Sequence, residues 1–462
     1  MALGKRSGEK QDTLWVPSDR LRSPGHPFYE ALNRLLASVD FDRRLEELSE
    51  PYYREGGRRG IPPGVYYRML FVGYFEGLPS QRAIEWRCAD SLSLRSYLGL
   101  SATDRVPDHS SLTRIRQRLP LQIDEAVHRM VLGLAATKDL LAGKTLGVDA
   151  TLIEACAAMR RIVRREGGKD WKQYVEGLAE EEGVEIKDDE DLRRFDRKRR
   201  GKKVSNKDWE SPTDPDARIA KMKDGRTRLS FKIQHTVDME SGIVVDAAAH
   251  TADTADSAAI EESVLSAQVH MEEAGTDSQV REVVADKGYH KAEVLATLAG
   301  HGVRTYVPER RDARRRRWTD KPAGWKDAVY ANRRRVKGNY GKNLQRRRGE
   351  MVERSFAHAC DSGGMRRSTL RGLLGVHRRA LVQAVAMNLG TILRSMLGVG
   401  TPKRLAELSR ALLVAGIGAL RAVSGAWDAL TARLAQLARI TAVFAPPEIE
   451  SPRPRTLSPV AA

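Results

Sequence analysis

Lys144-Thr145-Leu146-Gly147-Val148-Asp149-Ala150-Thr151 is the stretch on which the reading of this chain turns. Upstream of it, from Pro27 to about Leu141, apolar residues recur at helical spacing: Phe28, Leu32, Leu35 and Leu36, then Tyr66, Met69, Leu70, Val72 and Phe75. Within it the period drops to two. Leu146 and Val148 alternate with Thr145, Gly147, Asp149 and Thr151, which predicts a strand with Asp149 facing away from the apolar pair. Two later segments also present an acid at a predicted element. Ala285-Asp286-Lys287-Gly288-Tyr289 closes an apolar run from Arg281, and Met351-Val352-Glu353-Arg354-Ser355-Phe356 lies on a helix-like run. Two Asp from strands and one Glu from a helix form a hard oxygen-donor set. Such a set suits a pair of divalent cations and in-line displacement at a phosphodiester.

The bulk composition agrees with that chemistry. The 462 residues carry 79 Lys+Arg against 61 Asp+Glu, a net charge of +18. An acidic site inside a basic protein points to work on nucleic acid. At 6% aromatic content, a stacking-based single-strand binder is disfavoured. Cys88, Cys156 and Cys360 are isolated, so neither a zinc site nor a disulfide framework is expected and a reducing cytoplasm fits. His109, His250 and His290 lack the spacing of zinc ligands, although His290, four residues after Asp286, falls near the candidate site. The N-terminus has no apolar signal region, and the apolar run Ala411 to Leu420 is too short to span a bilayer. A membrane role is therefore not expected.

Length and punctuation divide the chain. Residues 1–24 read as a flexible arm and 25–141 as an all-α DNA-binding domain. In that domain Ser80 and Asp108 cap helices, and Arg114, Arg116 and Arg118 could meet DNA in a helix-turn-helix-like arrangement. Residues 142–397 read as an α/β domain. Its expected strands are Leu146 to Thr151, Leu229 to Val237, Gly242 to Ala249, Arg281 to Asp286 and Val303 to Val307. Its expected helices run from Asp256 to Glu273, from Lys291 to Ala299 and from Val376 to Met396. A meander followed by helix, strand, helix and strand is the order of an RNase H-like fold with a mixed five-stranded sheet. Charged insertions near 157–228 and 310–348 interrupt it. The first is poor in apolar residues, so partial disorder is expected there. The second holds the runs Arg314 to Arg317, Arg333 to Arg335 and Arg346 to Arg348, which read as phosphate contacts. Asp238, Asp246, Asp253 and Asp256 read as turn and cap residues. Residues 398–462 read as an Ala/Leu-rich helical segment with a disordered Pro/Arg tail from Pro446.

Taken together these segments resemble the DDE-type transposases of bacterial insertion sequences, over roughly residues 25 to 397. Val106-Pro107-Asp108-His109-Ser110-Ser111-Leu112-Thr113-Arg114 is similar to the family's PDHST-x-x-R segment. Gly147-Val148-Asp149-Ala150-Thr151 resembles its first-Asp strand, Ala285-Asp286-Lys287-Gly288-Tyr289 its D-x-GY motif, and Val352-Glu353-Arg354-Ser355-Phe356 its VER-x-F helix. The resemblance implies catalytic, metal-binding roles for Asp149, Asp286 and Glu353, with Mg²⁺ as cofactor and Mn²⁺ as substitute. It implies double-stranded DNA, both element ends and target, as partner, and a homodimer in the synaptic complex. Arg114, Arg116, Arg118, Arg346, Arg347, Arg348 and Arg354 are the expected DNA contacts. The pattern departs where relatives carry an Arg before the Glu and a Lys after it: Gly349 and Cys360 stand there. Glu350, three residues before Glu353, is a rival third acid. Two other readings stay open: a nuclease of the same fold without strand transfer, and a non-catalytic transposase-derived repressor.

Overall fold

Side-chain caps fix the helix starts of the first third. Ser80 accepts from the Ala83 amide, Ser91 from that of Leu94, and Asp108 from that of Ser111 at 2.8 Å. The Ser110 hydroxyl, bonded to Asp108, and the Ser111 amide hold that carboxyl down to about 2. The computed structural model describes residues 23, 25–57, 60–199, 205–310 and 317–443. Nearly all of the expected arm, Lys202-Lys203, Arg314 to Arg316 and the tail from Pro446 lie outside the described residues.

Seven helices come first: α1 (Pro27–Ala37), α2 (Phe41–Ser49), α3 (Pro63–Phe75), α4 (Gln81–Asp90), α5 (Leu92–Tyr97), α6 (His109–Arg118) and α7 (Leu121–Ala136). Helix α3 is buried on almost every side. Its Arg68 is tolerated there because the guanidinium is saturated by Asp42, at 2.6 and 2.9 Å, and by Asn33.

The strands are β1 (Thr145–Glu154), β2 (Val163–Arg164), β3 (Trp209–Glu210), β4 (Arg218–Lys221), β5 (Thr227–Asp238), β6 (Val244–Thr251), β7 (Glu282–Ala285) and β8 (Arg304–Tyr306). The main sheet is mixed and six-stranded, with β5, β1, β7 and β8 side by side and both β4 and β6 on the outer side of β5. Strands β1, β7 and β8 are parallel, whereas β5 runs antiparallel to β1, β4 and β6. The expected five strands are present. The sixth, β4, gives no apolar signal because it is a short polar edge strand.

The insertion is more ordered than its composition predicts. Helices α8 (Trp171–Glu181) and α9 (Asp189–Lys198) sit with the β2–β3 ribbon. Aromatic and cationic groups add to a small apolar core of Val175, Ala179 and Leu192 there. Arg164 lies over the rings of Tyr174 and Trp209, and Trp171 donates to Asp196 at 3.2 Å.

The remaining helices are α10 (Asp256–Glu273), α11 (Ala292–Gly300), α12 (Ala323–Lys337), α13 (Asn339–Ala357), α14 (Leu373–Leu397) and α15 (Pro402–Val443). Helix α13 passes into a π-helical turn, His358–Ser362. Helix α14 packs on β6 and α7, and Asn388 brackets the Val244 amide and carbonyl, both at 2.8 Å. Arg378 of α14 donates to the carbonyls of Arg116 and Leu119. Packing is therefore continuous from the helical module to the sheet, and residues 1–402 form one unit. Residues 403–462 form the other, described as far as the long helix α15 runs. The stretch Leu373–Ala415 is long and apolar enough to cross a membrane, but 67% of its most apolar window is buried inside the protein, as in a core helix.

Candidate active site

Asp149 lies near the middle of β1. Parallel pairing of β1 with β7 ends at Val148 opposite Ala285, so Asp149 and Asp286 are the next residues on neighbouring strands. Acids at the carboxyl ends of parallel strands face the crevice where α/β sites assemble. The β1 backbone approaches α13 closely because position 147 has no side chain. A Cβ there would lie 2.8 Å from Val352 and 2.6 Å from the Met239 sulfur.

From α13, Arg348 Nη1 donates to Asp149 Oδ2 at 2.8 Å, while Asp149 Oδ1 accepts from the Ala150 amide. Burial raises the Asp149 carboxyl above the usual range, Arg348 opposes that rise, and the Asp286 charge adds to it. Asp286 Oδ1 accepts from the Gly288 amide at 2.6 Å, which fixes the turn after β7. Tyr289 is buried, its hydroxyl 3.4 Å from Gln234 Oε1. Burial, and then the charges of Asp149, Asp256 and Asp286, push the phenol far up, so it stays protonated.

Glu353 is exposed on α13. Five residues beyond Arg348, it projects about 140° away around the helix, given 100° per residue. Its Oε1 lies 3.9 Å from where a Cβ on Gly349 would be. Glu350 projects outward and is paired with Arg354 at 2.6 Å, so the cation beside Glu353 clamps its rival. Among the described residues no group of three or more His, Cys, Asp and Glu could hold a metal ion. The donor chemistry nevertheless fits a hard divalent cation. Two adjacent carboxylates supply oxygen only, and a cationic guanidinium already sits against one of them.

His235 is not among the residues that the sequence singles out for the site. It pairs with Asp149 across β5, stacks on Phe356 with centroids 4.4 Å apart, and shares a 2.9 Å hydrogen bond with Ser355. Burial lowers it to about 3, so it is neutral and locks α13 onto the sheet. Its only sequence signal is a polar ring inside an apolar strand. His290, four residues after Asp286, has its side chain buried 3.9 Å from Glu309.

The expected DNA-contacting arginines separate into two groups. Arg114, Arg346, Arg347 and Arg354 are exposed. Arg348 is tied to Asp149, Arg118 stacks on Tyr53 at 4.6 Å, and Arg116 lines a cavity under α4 and α14. In the preceding run, Arg333 is held by Glu309 and Arg335 by Thr305, which leaves Arg334 exposed.

Residues 148–389, more than half of the chain, match the family described as Transposase DDE domain. Residues 17–118 match the family described as Transposase domain (DUF772). No curated protein and no solved structure matches the chain. The first match contains Asp149, Asp286 and Glu353, and the second contains Arg114.

Proposed function

The chain belongs to the DDE transposases, and on that premise we propose that it binds the terminal inverted repeats of an insertion sequence, cuts the ends and joins them to target DNA. The side-by-side placement of Asp149 and Asp286 beneath α13 carries this reading. The strand order, with three parallel strands and an antiparallel meander, supports an RNase H-like catalytic domain. Asp149, Asp286 and Glu353 would hold Mg²⁺, or Mn²⁺ in its place. Bound there, the cations supply activation of the attacking oxygen and stabilisation of the leaving one.

The chain's own residues set up that chemistry. Asp149 and Asp286 present acceptor oxygens from a rigid sheet. His235 and Gly147 fix the height of α13 above it, and the exposed cations of α12 and α13 hold the phosphate backbone. Glu353, exposed on the same helix, would complete the set when cation and DNA are bound, a change that loosens the Arg348–Asp149 bond. The protein acts as a homodimer on two DNA ends, in the cytoplasm.

The test is a strand-transfer assay with purified full-length protein, Mg²⁺ and oligonucleotides carrying the element's ends. Joined products that vanish in Asp149→Asn support the reading. Cleavage without joining makes the protein a nuclease, and end binding without cleavage makes it a repressor.

A further inference from the structure

Asp256 belongs to neither the metal-holding set nor the caps. It is the first residue of α10, and the helix N-cap, Ala255, makes no side-chain capping bond. The Asp256 carboxylate turns instead to the sheet, where Lys232 Nζ holds its Oδ1 at 2.7 Å and also reaches the Thr254 carbonyl. The Lys232 side chain is 13% exposed and that of Asp256 34%, so the pair is partly shielded from solvent.

The other oxygen, Oδ2, faces the turn after β7. A Cβ on Gly288 would lie 2.7 Å from Asp256 Oδ2 and 2.8 Å from Asp286 Oδ1. Two carboxylates therefore converge over one glycine. Lys232 holds one Asp256 oxygen, and the other bounds the space beside the Asp286 carboxylate.

On β5, Lys232 and Gln234 share a face, since side chains repeat every two residues. Gln234 Nε2 donates to Ser263 of α10 at 2.6 Å, and its Oε1 is the acceptor for Tyr289. The Tyr289 end of the turn is thus held from β5, α10 packs against the turn, and from the opposite side Gln345 of α13 donates to the Ala285 carbonyl at 3.2 Å.

We propose that Asp256, anchored by Lys232, is a positioning residue that sets the place of Asp286 and thereby the affinity of the site for divalent cation. The inference rests on the reading of Asp286 as a metal-holding acid. Partners that orient ligating groups typically change metal affinity 10- to 100-fold when removed.

The experiment is calorimetric titration of full-length protein with Mn²⁺, alongside its thermal midpoint without metal. Asp256→Asn should weaken Mn²⁺ binding about tenfold or more at a nearly unchanged midpoint, with cleavage recovering at high Mn²⁺. Gly288→Ala keeps both acids but drives a methyl between them, and should weaken binding likewise. Asp286→Asn separates the two ideas. If it weakens binding while Asp256→Asn and Gly288→Ala bind like the parent, the positioning role is wrong and the site stands. If Asp286→Asn itself binds Mn²⁺ like the parent, the reading of the site fails with it.

Discussion

Arg348 and Asp149, 199 positions apart in sequence, are joined by a 2.8 Å charge-assisted hydrogen bond between α13 and the middle of β1. Their side chains are 13% and 25% exposed, and Arg348 Nε is buried without a hydrogen-bond partner. A cation bound at Asp149 competes with this guanidinium for the same oxygen. Arg348→Gln should therefore destabilise the metal-free protein by about 1–2 kcal/mol, between the values for exposed and buried pairs. It should also tighten Mn²⁺ binding several-fold. Thermal midpoints with and without Mn²⁺ check both at once: the metal-induced rise should be larger in the variant than in the parent. An equal or smaller rise means that Arg348 and the cation do not compete.

Substituting the acids separates chemistry from binding. Asp149→Asn, Asp286→Asn and Glu353→Gln should each reduce end cleavage by at least about 10³-fold, the scale of losing a principal electrostatic element of an active site. Affinity for end DNA should change little in each case. Glu350→Gln should cleave normally, since Glu350 is paired with Arg354 on the outer face of α13. Normal cleavage in Glu353→Gln together with loss in Glu350→Gln would transfer the third role to Glu350.

The sequence reveals the strands of the site and hides its phase. The β1 period and the bounds of α10 are legible because alternation and helical spacing persist over whole elements. The orientation of α13 is not legible, because it depends on long-range contacts. Gly147 admits Val352, and His235 stacks on Phe356 from a strand more than a hundred residues away. The same limit applies to charge. Arg333 and Arg335 belong to a run that looks free for phosphate, yet Glu309 and Thr305 engage them after a turn of the chain. Strand β4 is missed because it is only four residues long, and the α8–α9 insertion because its few apolar positions, Val175, Ala179 and Leu192, are outnumbered by charge.

Phosphate contact should come from the cations that folding leaves exposed: Arg334, Lys337, Lys342, Arg346 and Arg347 on α12 and α13. DNA affinity should fall steeply with salt, with a log–log slope near −0.9 per neutralised phosphate. Replacing Arg346 and Arg347 together by Gln should make the slope shallower by about 2 and weaken specific and random duplexes alike. Fluorescence anisotropy between about 50 and 200 mM salt measures both. An unchanged slope in the double variant would remove α13 from the DNA interface.

Asp124 gives a pH dependence of opposite sign to that of most carboxylates. It is 3% exposed, accepts from the Tyr67 hydroxyl at 2.7 Å, and lies 3.6 Å from Arg378, while its Oδ2 makes no hydrogen bond. Burial raises the carboxyl to about 6, outweighing the lowering by Tyr67 and Arg378. The folded protein therefore holds a proton here that the unfolded chain has released by pH 6. The associated stability is complete below about pH 4, where both states are protonated, and is lost as pH rises through 6. An ordinary carboxyl moved to about 6 corresponds to about 3 kcal/mol as an upper figure. Asp124→Asn has no such proton to lose. Its stability relative to the parent should increase between pH 4 and pH 7 by about 2–3 kcal/mol, read from urea unfolding at each pH. A difference that stays flat, or that moves in the other direction, would mean that Arg378 keeps Asp124 ionised where α7 meets α14.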